Sequence, residues 1–300
     1  MWFLVSFVGY FLLGLTLVMD KMILTKSIPK PAVYTFDSLI YLLAFLALVP
    51  FGVQMLIGLD WGIAFVTTGL SVLALLFLYM AVKRGEASHM FPFVGGVMTI
   101  TLYVIELIFF HVHFTVGQTA GIALLIGGIL FLSFEKTKTH AGVHIGFVWA
   151  IISGFFYAVS TLGIKYLYTQ YDFLTAFVWI QGLSGVCAFF LLLLPSVRAA
   201  WIHSRHTPPV AKKRKGRALF FTNKIVASIA FTLLQYAISI GNVTLVTALG
   251  GLQYVWMFLL VIIFTKFFPR LFREYVTRRE VTLETIGVFL VLLGSIFFVP

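Results

Sequence analysis

Glu106 and Lys165 are ionisable residues set inside apolar sequence, "TLYVIELIFF" around the first and "STLGIKYLYT" around the second. In hydrocarbon such a group costs about 2.5–3.5 kcal/mol at a helix centre on insertion scales, so it normally faces a cavity or a partner. Counting from Ser88 and Ile145, residue 106 lies about 27 Å along its helix and residue 165 about 30 Å along its own, at a 1.5 Å rise per residue. The spacing predicts that the two meet at the outer end of a central cavity, where a carboxylate and an ammonium could pair or exchange a proton. The competing reading has both snorkel into the outer headgroup region. Lys21, beside Asp20, Lys26 and Asp37, reads as an interfacial charge, or as the inner counterpart of Lys165. Asp60 and Asp172 fall at helix ends and read as solvated.

A second group of polar side chains stands in apolar runs: Tyr79, Tyr103, Tyr157, Gln181, Gln235, Tyr236, Gln253, Tyr254 and Trp256. Such rings and amides could line a pocket for a small organic solute, or simply hydrogen-bond between helices. Tyr157, Tyr103, Gln253 and Trp256 join Glu106, Lys165 and Lys21 as candidate substrate or coupling residues.

Signals for an enzyme are weak. "GLSG" at Gly182–Gly185 matches a Gly-x-Ser-Gly nucleophile motif, but the later histidines, His203 and His206, lie in a basic loop, and a serine nucleophile needs a base within hydrogen-bond reach. His111 and His113 lack the helical spacing and further ligands of a metal site. No phosphate-binding loop stands in the sequence, and Cys187 is the only cysteine. The expectation is a non-enzyme with no metal, cofactor or disulfide.

These residues need elements to hold them, and composition says which. Apolar residues make up 61% of the chain and charged ones 10%, with a mean hydropathy of +1.06, far from a water-soluble domain. A bilayer core about 30 Å thick takes roughly 20 apolar residues per helix. Ten runs qualify, near 2–20, 33–56, 61–82, 88–112, 115–134, 145–168, 173–194, 222–240, 243–265 and 282–299. Their continuous apolar character predicts helices, since barrel strands would be shorter and alternate. The first run, with no basic residues ahead of it, reads as a retained helix, not a removed signal.

Basic residues fix the expected orientation. With ten helices, twenty of the 21 Lys and Arg fall in loops on one side and Lys165 alone falls on the other. Basic loops stay cytoplasmic, so both termini are expected outside the cytoplasm. The same split explains the net charge of +11 without nucleic acid, although "KKRKGR" from Lys212 would suggest it in isolation. That loop, about 196–223, is expected to meet anionic lipid.

The chain also repeats itself. "TAGIALLIGGILF" from Thr119 and "TIGVFLVLLGSIF" from Thr285 share five of thirteen positions at an offset of 166. "TLVMDKMILT" against "STLGIKYLYT", and "YMAVKRGEAS" against "YAISIGNVT" after a one-residue gap, echo each other in the same order. Five helices separate the copies, so they cross in opposite directions: two inverted repeats, 1–140 and 141–300, the plan of many secondary transporters.

Across nearly its whole length the sequence resembles the EamA-type transporters of the drug/metabolite transporter superfamily. The likeness rests on "YMAVKRGEASHMFP" from Tyr79, on the Thr-x-Gly helices at Thr119 and Thr285, and on "REVTLETIG" from Arg279, which sets Glu280 at the family's glutamate. The first repeat instead carries His111 and His113 there. The resemblance implies an all-α integral membrane protein of ten transmembrane helices. It implies a secondary transporter in the plasma (inner) membrane that moves a small organic metabolite by alternating access, by proton coupling or exchange, as a monomer or homodimer. A flippase for a lipid-linked intermediate is the runner-up, and a non-transporting membrane scaffold the third reading.

Overall fold

The computed structural model of the 300-residue chain describes residues 1–26, 31–84, 87–133, 145–206, 211–267 and 278–298. All of its regular elements among these residues are helices: α1 (Trp2–Lys26), α2 (Pro31–Ile40), α3 (Asp60–Arg84), α4 (Ala87–Ile108), α5 (Val116–Ser133), α6 (Ile145–Gln170), α7 (Phe173–Ala188), α8 (Pro195–His206), α9 (Ala211–Ile240), α10 (Val243–Ala248), α11 (Gly251–Phe267) and α12 (Arg278–Ile296), with two short 3₁₀ stretches. Eight helical stretches are long and apolar enough to cross a membrane. Val116–Leu132 and Thr285–Ile296 are apolar but shorter.

The elements depart from the ten-run reading in four places. The second run, 33–56, is helical only to Ile40, tightens into a 3₁₀ segment over Tyr41–Leu48, and loses helical form before Leu56. That segment lies on α7, where Gly182 and Gly185 have no Cβ to collide with Leu46 and Leu43. "GLSG" is therefore a packing device, and Ser184 donates to the Ile180 carbonyl at 2.7 Å. The fourth run stops at Ile108, and His111 takes a left-handed backbone with φ 49°. The stretch read as a loop at 196–223 contains α8 and the start of α9. Finally the ninth run breaks into α10 and α11 at Leu249–Gly250. The Gly250 N–H donates to Thr247 and the Leu252 N–H to Leu249, both at 2.9 Å and both three residues back. The Tyr10 hydroxyl donates to the Val246 carbonyl at 2.8 Å, supplying the partner that an unbroken helix would have drawn from residue 250.

Helix pairing follows from small residues. α5 lies on α12, with ideal Cβ positions at Gly121 and Gly128 falling 3.1 Å from the Gly294 carbonyl and 2.8 Å from the Gly287 carbonyl. The mirror contacts hold: Gly294 faces the Gly121 carbonyl at 2.9 Å and Gly287 faces that of Gly128 at 2.9 Å. Rising numbers on one helix meet falling numbers on the other, so the two are antiparallel, and backbones this close tolerate only glycine. α3 packs antiparallel on α6, where Ser153 donates to the Ala74 carbonyl at 2.8 Å and the Ser71 and Ser160 hydroxyls share a hydrogen bond. α1 packs antiparallel on α9, running from Trp2 beside Gly241 to Asp20 beside Asn223. α6 also lies on α4, and α1 on α11.

α7 opens with a side-chain cap: Asp172 accepts the Thr175 N–H at 3.0 Å. Burial raises its carboxyl, but the hydrogen bonds from Thr175, Leu174 and its own backbone together hold it below the ordinary carboxylate range. A group whose folded pKa is depressed stabilises above its unfolded value and loses that contribution as pH falls through the folded one. Asp172→Ala is expected to cost about 1 kcal/mol at neutral pH, and the difference from the parent to shrink below pH about 4. Thermal unfolding of both proteins across pH 3–7 checks this; a gap that stays constant with pH would show that the charge plays no part.

Candidate functional site

Two polar clusters lie inside the bundle near its opposite ends. At one end stand Glu106 of α4 and Lys165 of α6. The Lys165 ammonium donates to three carbonyls, Ile238 at 2.8 Å, Ser239 at 3.1 Å and Gly241 at 2.8 Å. These are the last carbonyls of α9 and its turn, groups that have no partner within a helix, and a cation there also meets the negative end of the helix dipole. Glu106, buried at 6% exposure, receives the Asn242 amide on Oε2 at 3.4 Å. Asn242 in turn caps α10 by accepting the Leu245 N–H at 3.0 Å.

Glu106 and Lys165 therefore share a neighbourhood without a direct bond. Each grips the turn between α9 and α10, the lysine through the Gly241 carbonyl and the glutamate through Asn242. Glu106 is near enough for its charge to act on the ammonium. The sequence reading sets both at comparable depth; in the structure they meet the same α9–α10 turn. That reading held no hint of Asn242, whose role depends on the α10 start that only the broken ninth run creates.

Beyond this turn, Asp60 accepts two phenols, Tyr171 on Oδ2 at 2.6 Å and Tyr166 on Oδ1 at 3.1 Å. It is an anchored helix end, where the sequence suggested only a solvated one. The hydrogen bond to Asp60 pushes the Tyr171 phenol up. The Ile57 N–H donates to the Tyr171 hydroxyl at 2.9 Å and the Trp179 indole to the Gln54 carbonyl at 2.8 Å, tying the stretch before α3 to α6 and α7.

The second cluster was missed by the sequence reading. Asp20 Oδ1 accepts the Asn223 amide at 2.6 Å and the Tyr34 hydroxyl, and the Lys224 ammonium lies 3.7 Å from it. Lys224 had been counted with the basic loop, yet it stands inside α9 with its side chain 14% exposed. The available signal was its position inside the run 222–240, the same criterion that singled out Lys165. Lys21, one residue from Asp20, has a side chain outside the described residues, as has Glu280.

Between the clusters runs a line of phenols. Tyr34 and Tyr79 tilt together at 4.8 Å between ring centroids; Tyr79 lies within charge reach of Tyr157, Tyr157 of Tyr254, and Tyr254 of Tyr10. Tyr254 spends its hydroxyl on the Phe91 carbonyl at 2.7 Å. Trp256 sits edge-on to Phe7 and Phe11 with its indole N–H buried and unpartnered. Gln253 packs its backbone carbonyl against Gly14, and Tyr103 tilts against Phe114 at 5.2 Å, toward the Glu106 end.

No family model and no curated protein matches the chain. Among solved structures 27 chains are similar. One of them, described only as "Crystal structure of protein", has a TM-score of 0.68 at 15% identity, over 98% of this chain and 95% of that one. At that identity the likeness is one of fold, and it extends over essentially the whole chain.

Proposed function

We propose that the chain is a secondary transporter of a small organic solute, a ten-span membrane protein of two inverted five-helix repeats that works by alternating access. The observation that carries this reading is the reciprocal packing of α5 on α12. The two copies of the repeated phrase lie on one another, and under the offset of 166 the contact Gly121–Gly294 turns into Gly287–Gly128. That is the behaviour of a two-fold axis between inverted halves. The other pairings support it: exchanging the halves converts α3 on α6 into α9 on α1, and α4 on α6 into α11 on α1. Inverted halves rocking about a shared interior are how many secondary carriers alternate their access.

The two polar clusters fit this scheme as closures near opposite ends, with the tyrosine line as the wall between. Buried ionisable groups in such a setting mark solute or proton paths. Glu106, held by the Asn242 amide, is the proton site of this reading, which takes the basic side as cytoplasmic and so has both termini outside.

The test is proton flux in inverted vesicles, followed with a pH-sensitive dye while amino acids, amines, sugars and common drugs are added. Wild-type protein should collapse the gradient for one solute class, and Glu106→Gln, which keeps an acceptor for Asn242, should lose that response while folding normally. Wild-type protein that moves no solute in flux, counterflow or lipid-scrambling assays would end the carrier reading.

A further inference from the structure

The Lys224 ammonium is held as a free organic cation would be held. Beneath it lie two aromatic faces, Tyr34 at 4.8 Å and Phe220 at 5.3 Å from the nitrogen to the ring centroids. Its hydrogen-bond acceptor is the Tyr34 hydroxyl oxygen at 3.4 Å, and its counter-ion is Asp20 at 3.7 Å. Aromatic faces around an ammonium with a carboxylate alongside are the standard means of recognising amine ligands.

Two further observations mark the cluster as incomplete with lysine alone. Asp37 of α2 lies within electrostatic range of the same ammonium, although the ion pair itself is with Asp20. Asn223 is fully buried and donates its amide N–H to Asp20, yet its Oδ1 has no partner. Asp20 fixes which way that amide points, since the reversed amide would set two acceptors together. A buried acceptor without a donor is destabilising, and an N–H of a second ammonium would satisfy it.

We propose that the cluster of Asp20, Tyr34, Asp37, Asn223 and Phe220 is a binding site for a small organic ammonium ion, with the Lys224 side chain standing in it as a tethered ligand. This rests on the carrier reading above and gives its solute a class. The free amine takes the place of the lysine's nitrogen over the two rings, pairs with Asp20, and gives an N–H to Asn223; Lys224 then turns to Asp37. Among the described residues, the other titratable groups within electrostatic range of Asp20 include the phenols of Tyr79 from α3 and Tyr157 from α6.

The experiment uses the purified full chain in detergent, with n-butylammonium as probe and n-butanol and sodium chloride as controls for shape and ionic strength. Lys224→Met vacates the cation position, so butylammonium should raise its unfolding temperature saturably while both controls leave it unchanged. Wild-type protein should need about tenfold more probe, because its own lysine competes. Adding Asp20→Asn should abolish the saturable response. A Lys224→Met protein that shows no saturable shift, or one that keeps it with Asp20→Asn, would overturn the site.

Should Lys224→Met fail to fold, radiolabelled butylammonium binding to wild-type protein decides the matter. Binding that weakens about tenfold or more in Asp20→Asn supports the site, and binding indifferent to that change removes it. Uptake of the same probe into proteoliposomes separates the two layers. Binding without uptake of any solute would retire the carrier and leave the site; uptake of other solutes without amine binding would do the reverse.

Discussion

Gly128→Leu is expected to cost about 3 kcal/mol or more and to leave little folded protein, while Gly127→Ala, one residue away, should be harmless. The difference lies in what each side chain would meet. A Cβ at Gly128 falls 2.8 Å from the Gly287 carbonyl and 2.9 Å from the Val291 N–H nitrogen, both backbone atoms that cannot rotate aside; a Cβ at Gly127 meets nothing within 4 Å. Overpacking ordinarily costs about 1–3 kcal/mol because side chains adjust, and here whole helices would have to part. At an open helical position the change from glycine to alanine instead gains about 0.5–1 kcal/mol. Because the α5–α12 contact is reciprocal, Gly287→Leu, whose Cβ falls 2.9 Å from the Gly128 carbonyl, should match Gly128→Leu. Thermal unfolding in detergent, followed by size-exclusion fluorescence, reads all three. Equal tolerance at 127 and 128 would mean that the two helices do not pack as described.

Lys165→Met should cost about 3 kcal/mol and should also stop solute-dependent flux. Three carbonyls converge on one nitrogen at 2.8–3.1 Å, and hydrogen bonds to a charged group contribute about 1.5–3 kcal/mol each where they stand alone. They share one ammonium here, so the sum is discounted to the figure given. Methionine keeps the length of the stem and removes every donor. Lys165→Arg should restore only part of the loss, because a planar guanidinium cannot aim three N–H groups at one compact ring of carbonyls. Unfolding temperatures of the three proteins, with the vesicle flux measured on each, test the role. A methionine variant as stable as the parent would reduce Lys165 to a bystander.

The apolar helices were legible because they are written in residue type alone, and the two copies of the phrase shared at an offset of 166 fall on α5 and α12, which pack together. The interior was less legible, for physical reasons particular to each place. The 3₁₀ segment over Tyr41–Leu48 is as apolar as any α-helical stretch, and what tightens it is its fit on Gly182 and Gly185 of a distant helix. The break at Leu249–Gly250 depends on a hydroxyl supplied by Tyr10 from far away in sequence. Glu106 and Lys165 stood out because each is alone in an apolar run, and the structure sets them on one turn. Lys224 follows a long basic stretch, which hides that it faces inward, where it and Asn223 both meet Asp20. Charge counted by loop cannot see the direction of a side chain; the partner, Asp20, decides it.

α9 is tied down twice. Near the start of its apolar stretch, Ala218–Ile240, Asn223 and Lys224 hold it to Asp20 of α1, and at its finish the Lys165 ammonium of α6 clasps its final carbonyls. A rod fastened at two points neither slides nor tilts. Release at one fastening leaves the other as a pivot, and the freed end then sweeps an arc with the stretch between the two fastenings as its radius. In the carrier reading, whichever lysine lets go chooses which mouth of the molecule widens, and the helix acts as a lever whose fulcrum changes hands.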